Sequence, residues 1–262
     1  MHVHLPKPMH GWRQFVGEVG IIVLGVLIAL SAEQIVEGLH DRYLSRQAEH
    51  NIRAELAYDS AFAIERVAIG DCMRASFRDL RQRMASGGDN WAGLQGTVLN
   101  GADAKSPKRA LYGTPPPLSS PRRLWPVSAW SAATASGVFN HGRSHFFNYA
   151  ALYAMVNWLD RLQDREIADY SKLAPLNGPL TLDSSARLQL LTAISAVDSE
   201  NADIERLAAV FVTAAQRNGI SPDPKWLELG LAEEAQSRGT CVKRGGALRQ
   251  AIAHEFSGVP RG

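Results

Sequence analysis

The chain carries almost no cysteine, two in 262 residues. That excludes a small disulfide-stapled scaffold by count and by size. Neither Cys72 nor Cys241 stands in a CxxC or any other zinc-ligand spacing. Charge of one sign is also scarce: 28 Lys and Arg against 26 Asp and Glu leave a net charge of +2. Such a balance gives no footing for nucleic acid or a strongly acidic partner. No stretch sustains strand alternation, and no Asn-Gly or Asp-Gly turn joins two β-branched runs. GxSxG, the P-loop, GxGxxG after a strand, DxDxDG and HExxH are all missing. The commonest routes to hydrolase, nucleotide-binding and metal-dependent chemistry are therefore without a signature. Long apolar runs are missing too, with one exception.

That exception is Phe15–Ala32, FVGEVGIIVLGVLIALSA. A helix of this length rises about 27 Å at ~1.5 Å per residue, close to the ~30 Å of a hydrocarbon core. From Val19 to Leu30 every side chain is apolar or glycine, whereas a helix on a soluble protein's surface would show a polar face. The remaining choice is between a retained anchor and a cleaved secretory signal. Lys7 and Arg13 form a modest positive n-region, and Ala29-Leu30-Ser31 could serve as a small-x-small cleavage site. Against cleavage, no helix breaker precedes that site, and helical spacing runs on through Ile35, Val36 and Leu39. The expectation is a signal anchor over 15–36 preceded by a cytoplasmic segment over 1–14.

Lys and Arg are nearly balanced across the span, Lys7 and Arg13 before it and Arg42 and Arg46 after it. The positive-inside rule therefore speaks weakly. The short N-terminal segment is the easier part to leave in the cytoplasm, and a long C-terminal domain translocates largely regardless of its charge. The expected setting is the inner membrane, single-pass, with the C-terminal domain in the periplasm. Within the span Glu18 is out of place, since a carboxylate in hydrocarbon costs roughly 2.5–3.5 kcal/mol on insertion scales. Near the end of the span it can reach the interface. Glu18, Ile22, Gly25, Ala29 and Ala32 form one helical stripe, and Gly25-x-x-x-Ala29 is a small-x-x-x-small pair that lets helices approach closely. The stripe reads either as a helix–helix interface or as an interfacial Glu on a monomeric anchor.

Leu5 to Gln34, with Gly17-Glu18 opening the span, Val23 to Leu30 as its core and Glu33-Gln34 at its exit, resembles the N-terminus of an uncharacterised group of small bacterial membrane proteins. Trp130, Ala135-Ser136-Gly137 and Tyr149 to Tyr153 look similar to that group as well. The resemblance implies an inner-membrane setting and a helical outer domain. It brings no activity, ligand or functional residue.

Beyond the span the composition is that of an ordinary globular protein, 45% hydrophobic and 21% charged for the whole chain. From Ala32 to about Arg83 apolar residues recur in steps of three and four: Val36, Leu39 and Tyr43, then Ile52, Leu56, Ala63, Val67, Met73, Phe77, Leu80 and Met84. The spacing predicts one long helix over 37–86, with an exposed neck from Arg42 to Arg53. Ser86-Gly87-Gly88 ends it. Residues 87–126 hold six of the 13 prolines and a run of basic side chains, and read as a Pro/Gly-rich basic loop. Over 127–262 the pattern predicts a helical bundle. A short helix runs from Trp125 to His141. A longer one opens on Ser144 as N-cap and reaches about Leu173. Two more run over about Asp183–Arg217 and Asp223–Arg238, and a last short one over Ala247–Phe256. The fold class is all-α: a transmembrane helix continuous with a long helix, plus a bundle of three to four further helices.

Candidate chemistry is thin. His141 and His145 have the spacing of two metal-ligating imidazoles on a helix. Gly142 and Ser144 between them argue for a loop, and no acidic residue lies within five positions on either side. Trp125, Trp130, Tyr149, Tyr153 and Trp158 could line a groove, but aromatics at helical spacing are more often core. Cys72 and Cys241 are the better pair: if the domain lies outside the cytoplasm, the compartment is oxidising and a bridge is expected. Two buried free thiols are the alternative. No metal, cofactor or catalytic residue is predicted. The sequence points to a non-enzymatic membrane-anchored protein whose partners are the lipid bilayer and either an unknown protein or a second copy of itself, with no nucleic acid. A periplasmic sensory or ligand-binding module and a membrane-tethered enzyme are the rival readings.

Overall fold

The computed structural model describes residues 11–94, 120–141 and 143–257, without the side chains of 13–14, 140–146 and 255–257. It divides into two compact units, Met1–Glu49 and His50–Gly262. The architecture is all-α. Helix α1 covers Trp12–Ser86. It is followed by α2 (Ser128–Ala135), α3 (Arg143–Ser171), α4 (Ser184–Arg217), α5 (Pro224–Arg238) and α6 (Gly245–Ser257). Among the described residues five helices follow α1, the short α2 and α6 among them, in the all-α arrangement expected. Much of the predicted loop, from 95 to 119, lies outside the described residues. The part next to α1 forms a strand, β1 (Asn90–Trp91), which pairs antiparallel with β2 (Leu180–Thr181). Two residues a side are too few for any alternation to be legible in sequence.

In the first unit, α1 shows water or lipid an apolar surface all round. Ile21 is 74% exposed, Leu24 58% and Ile28 61%. This helix is long and apolar enough to cross a membrane.

The second unit has its own core. On α1, residues 52, 56, 59, 63, 66, 70, 73, 77, 80 and 84 form one stripe of alternating three- and four-residue steps, and all are buried. That is the seam spacing of packed helices. Most of the stripe is Ile, Leu, Ala, Met and Phe, but Asp59, Arg66 and Gly70 also stand on it. Tyr149, Leu152, Tyr153, Val156 and Leu159 of α3 and Ile194, Val197, Ala208, Phe211 and Val212 of α4 supply the facing core. Helices α3 and α4 pack along one another, and α6 packs on α4.

Helix ends follow from side chains, several of them distant in sequence. Asp183 accepts from Ala186 N at the start of α4. Asp223 accepts from Lys225 N and Trp226 N at the start of α5, with Pro224 at its first position. Helix α4 ends in a Schellman turn. Gly219 N donates to Gln216 O and Ile220 N to Ala215 O. Gly219 sits at φ +68°, where a side chain would be strained. Arg53 of α1 donates to the exposed carbonyls of Asn218 and Gly219 there. Arg187 of α4 does the same for α1, donating to Met84 O, Gly87 O and Gly88 O. Both place a cation where the helix leaves carbonyls unpaired.

Two expected boundaries move. The helix predicted from Trp125 begins at Ser128, because Pro126 keeps the preceding residue extended. It also splits, with a 3-10 turn over Val138–His141 after Gly137 takes φ +68°. Ser144, expected as an N-cap, lies inside α3.

Candidate functional site

The polar groups that α1 brings into the bundle form four clusters; outside them, Glu200 of α4 is pushed up to about 7 by burial and by the charge of Asp169. In the first, Glu55 accepts from Tyr153 Oη at 2.7 Å, Ser128 Oγ at 2.7 Å and Ala129 N at 3.0 Å. Helix α2 has no capping side chain of its own, so a carboxylate from α1 fills the role across space. One turn on, Asp59 is fully buried, and neither of its carboxyl oxygens has a partner. Burial, and next the charge of Glu55, hold its pKa well above the ordinary carboxylate range. The Tyr153 hydroxyl is raised by burial and by its bond to Glu55.

In the second cluster, Arg66 Nη2 donates to Glu166 Oε1 of α3 at 2.8 Å and to Asn201 Oδ1 of α4 at 3.1 Å. Arg66 and Glu166 are 4% and 0% exposed. In the third, Arg123, in the segment leading to α2, forks onto Glu65 through Nε at 2.8 Å and Nη2 at 2.6 Å, and reaches Glu233 of α5 at 3.0 Å. Its main chain is held by Gln163 of α3, which accepts from Arg123 N and donates to Arg123 O. The guanidinium also lies 5.1 Å from the Phe62 ring centroid. Burial pulls the Arg123 pKa down, and the two glutamates more than offset this.

The fourth cluster surrounds the disulfide. Cys72 of α1 and Cys241, between α5 and α6, are bonded with Cα atoms 5.6 Å apart. Lys243 N donates to Ala68 O at 2.9 Å, and Lys243 Nζ pairs with Asp71 at 3.1 Å. Arg74 pairs with Asp71 and with Glu205 of α4. Gly70 makes the room: a Cβ there would fall on the Glu205 carboxylate.

Comparison with protein-family models, with curated proteins and with solved structures finds no match.

The sequence-predicted residues distribute plainly. Cys72 and Cys241 come together across 169 residues. Glu18, Ile22, Gly25 and Ala29 lie on α1 in the first unit, exposed, and a Cβ added at Gly25 would meet nothing within 4 Å. The side chains of His141 and His145 lie outside the described residues. Among the described residues no group of His, Cys, Asp and Glu is arranged to hold a metal ion. The aromatics do not share one groove. Trp125, Tyr149 and Tyr153 are buried, whereas Trp158 is 53% exposed. Trp130 stacks on Tyr153 at 5.2 Å.

Asp59 and Arg66 went unnoticed in sequence, although their signal is present. Both continue the stripe that Ile52, Leu56 and Ala63 begin. A charged residue on an otherwise apolar stripe is either paired in the core or a place where the helix leaves it.

Proposed function

We propose that the chain is a non-enzymatic, single-span protein of the bacterial inner membrane, anchored by Phe15–Ala32, whose helical domain lies in the periplasm and binds another protein or a second copy of itself. The observation that carries this reading is the contrast within α1. The apolar side chains between Phe15 and Leu30 are exposed among the described residues, and the unit from His50 on has a core of its own. A helix apolar all round has lipid or another helix as its neighbour.

Two further observations support parts of it. The Cys72–Cys241 bond suits an oxidising compartment, which favours the outward orientation. Glu65, Glu166 and Glu205 are each held by an arginine, an arrangement that fixes helices rather than one that frees carboxylates for proton transfer.

Crosslinking of the full chain in native membranes tests the interaction. Recovery of a dimer or of a defined heteromeric adduct is the expected result, and monomer alone with no adduct would count against the reading. Orientation is tested by thiol labelling of intact cells with cysteines introduced on the surface of α4. Labelling only after the inner membrane is opened would place the domain in the cytoplasm.

One observation favours a second reading, a periplasmic module that takes a small ligand between its helices: the buried, unpartnered Asp59 carboxyl. A ligand screen by thermal shift, compared between wild type and Asp59→Asn, tests it.

A further inference from the structure

The Arg66–Glu166 pair is made end-on, and this leaves complementary groups open. One guanidinium nitrogen, Nη2, meets one carboxylate oxygen, Oε1. The other nitrogen, Nη1, and the other oxygen, Oε2, are both buried and have no hydrogen-bond partner among the described residues. The hydroxyl of Tyr170, one turn beyond Glu166 on α3, is buried, and Asn201 is its hydrogen-bonding neighbour. Tyr170 lies within the electrostatic reach of both Glu166 and Arg66. Exposures of 4% for Arg66, 0% for Glu166, 7% for Tyr170 and 6% for Asn201 put the whole group inside the bundle, between α1, α3 and α4.

Leaving a buried donor or acceptor unpaired costs about 1–3 kcal/mol, more when it is charged. Two such atoms at one junction, both on charged groups, would be a heavy cost for a domain. A bidentate pair would use Nη1 and Oε2 on each other, as arginine and carboxylate commonly do. Here Nη2 is shared between Glu166 Oε1 and Asn201 Oδ1, the latter at 3.1 Å, and Nη1 and Oε2 make no bond to each other. One atom is a donor only and one an acceptor only. Arg66 and Glu166 cancel in charge, so the site offers no net attraction to an ion. A small neutral molecule that donates and accepts is what fits, and buried water typically makes about three hydrogen bonds to groups of this kind.

We infer that a water molecule is built into the core at the α1–α3–α4 junction, accepting from Arg66 Nη1 and donating to Glu166 Oε2. The water makes the ion pair a three-helix connection rather than a two-helix one, because it ties the far side of the guanidinium to α3 a second time.

A crystal structure of the full chain, at a resolution that shows ordered solvent, is the direct test. The expected result is a single peak within hydrogen-bond distance of Nη1 and Oε2. Nη1 lying directly on Oε2, or the Tyr170 hydroxyl donating directly to Oε2 with no peak beside them, would overturn the inference. Nuclear Overhauser transfer from water to the Arg66 guanidinium protons gives an independent reading. Tyr170→Phe keeps the ring and removes the exchanging hydroxyl. Persistence of the water cross-peak in that variant is expected, and its loss would show that the signal came from the tyrosine and not from a held water.

Discussion

Two stretches of one helix, Phe15–Ala32 and Ile52–Met84, differ in how they use apolar residues. Both are α-helical. The first is apolar on every side and exposed throughout. The second carries a stripe that is buried to the last member, flanked over 59–70 by further buried residues such as Phe62, Val67 and Ile69, and it admits Asp59, Arg66 and Gly70 onto that stripe. Apolar content alone does not make a core. What makes one is a partner surface, and among the described residues only the second stretch has it. For the first, a lipid surrounding would remove the penalty of exposure. The two stretches should therefore answer mutation in opposite ways, and that expectation can be tested by the size of the response.

The largest effect is expected at the paired charges of the second stretch. Glu166→Leu leaves Arg66 buried and uncompensated, and should cost about 3–5 kcal/mol of domain stability, measured by thermal or denaturant unfolding. A cost near zero would mean that water reaches Arg66 and that the stripe is not closed at that point. Next comes the clasp on the same stretch. Cys72→Ser with Cys241→Ser removes a bond that closes a long loop, for which the chain-entropy account gives on the order of 4–5 kcal/mol, and loss of a native disulfide commonly costs about 2–5 kcal/mol. The same loss should appear on adding reductant to the wild type. No change with reductant would show that the thiols are free.

A smaller and more local response is expected at Gly70. The Cβ of Gly70→Ala would occupy the place of the Glu205 carboxylate, forcing it off Arg74. The cost of such overpacking is typically about 1–3 kcal/mol. Gly25→Ala is the control from the first stretch, where a Cβ meets nothing within 4 Å. It should leave domain unfolding unchanged.

Asp59 gives a response that depends on pH. Its native pKa is raised by burial and then by Glu55, while the unfolded chain titrates near the ordinary value of ~3.9. Between those two values the native state holds a proton that the unfolded state has released. The associated stability is complete below about pH 4 and is lost as pH rises towards the raised native value. Asp59→Asn removes this slope. Unfolding measured from pH 4 to pH 8 should show the variant gaining on the wild type as pH rises, by a few degrees at the upper end if the difference is about 1 kcal/mol. Parallel curves would mean that Asp59 is ionised and paired.

Much of this was legible in the residues. The long apolar run, the Asp183 and Asp223 starts and the Asn218-Gly219 stop are local signals, and local signals survive folding. The polar clusters were less legible, since each joins α1 to residues far along the chain: Glu55 to Ser128, Arg66 to Glu166, Arg74 to Glu205. Sequence spacing shows that Asp59 and Arg66 stand on the buried stripe. It cannot show that one finds a partner and the other does not. The β1–β2 pairing, two residues a side, left no pattern at all.

The smallest effect on stability, and the sharpest test of the contrast, is expected from the stripe of Glu18, Ile22, Gly25 and Ala29. In the second stretch a small residue on the stripe, Gly70, has a neighbour that needs its space. In the first stretch Gly25 has none within the chain. If a second copy or a partner helix packs there, close approach depends on the small pair Gly25 and Ala29. Gly25→Leu with Ala29→Leu should then leave domain unfolding within about 0.5 kcal/mol of wild type, as for a substitution that touches nothing in the fold. Crosslinking in membranes should lose its dimer or heteromeric adduct. Undiminished adduct would move the interface off this stripe and onto the unit from His50 on. Loss of adduct together with an unchanged unfolding curve would show that Gly25 and Ala29 do for a neighbouring helix what Gly70 does for Glu205, with the partner supplied by another chain.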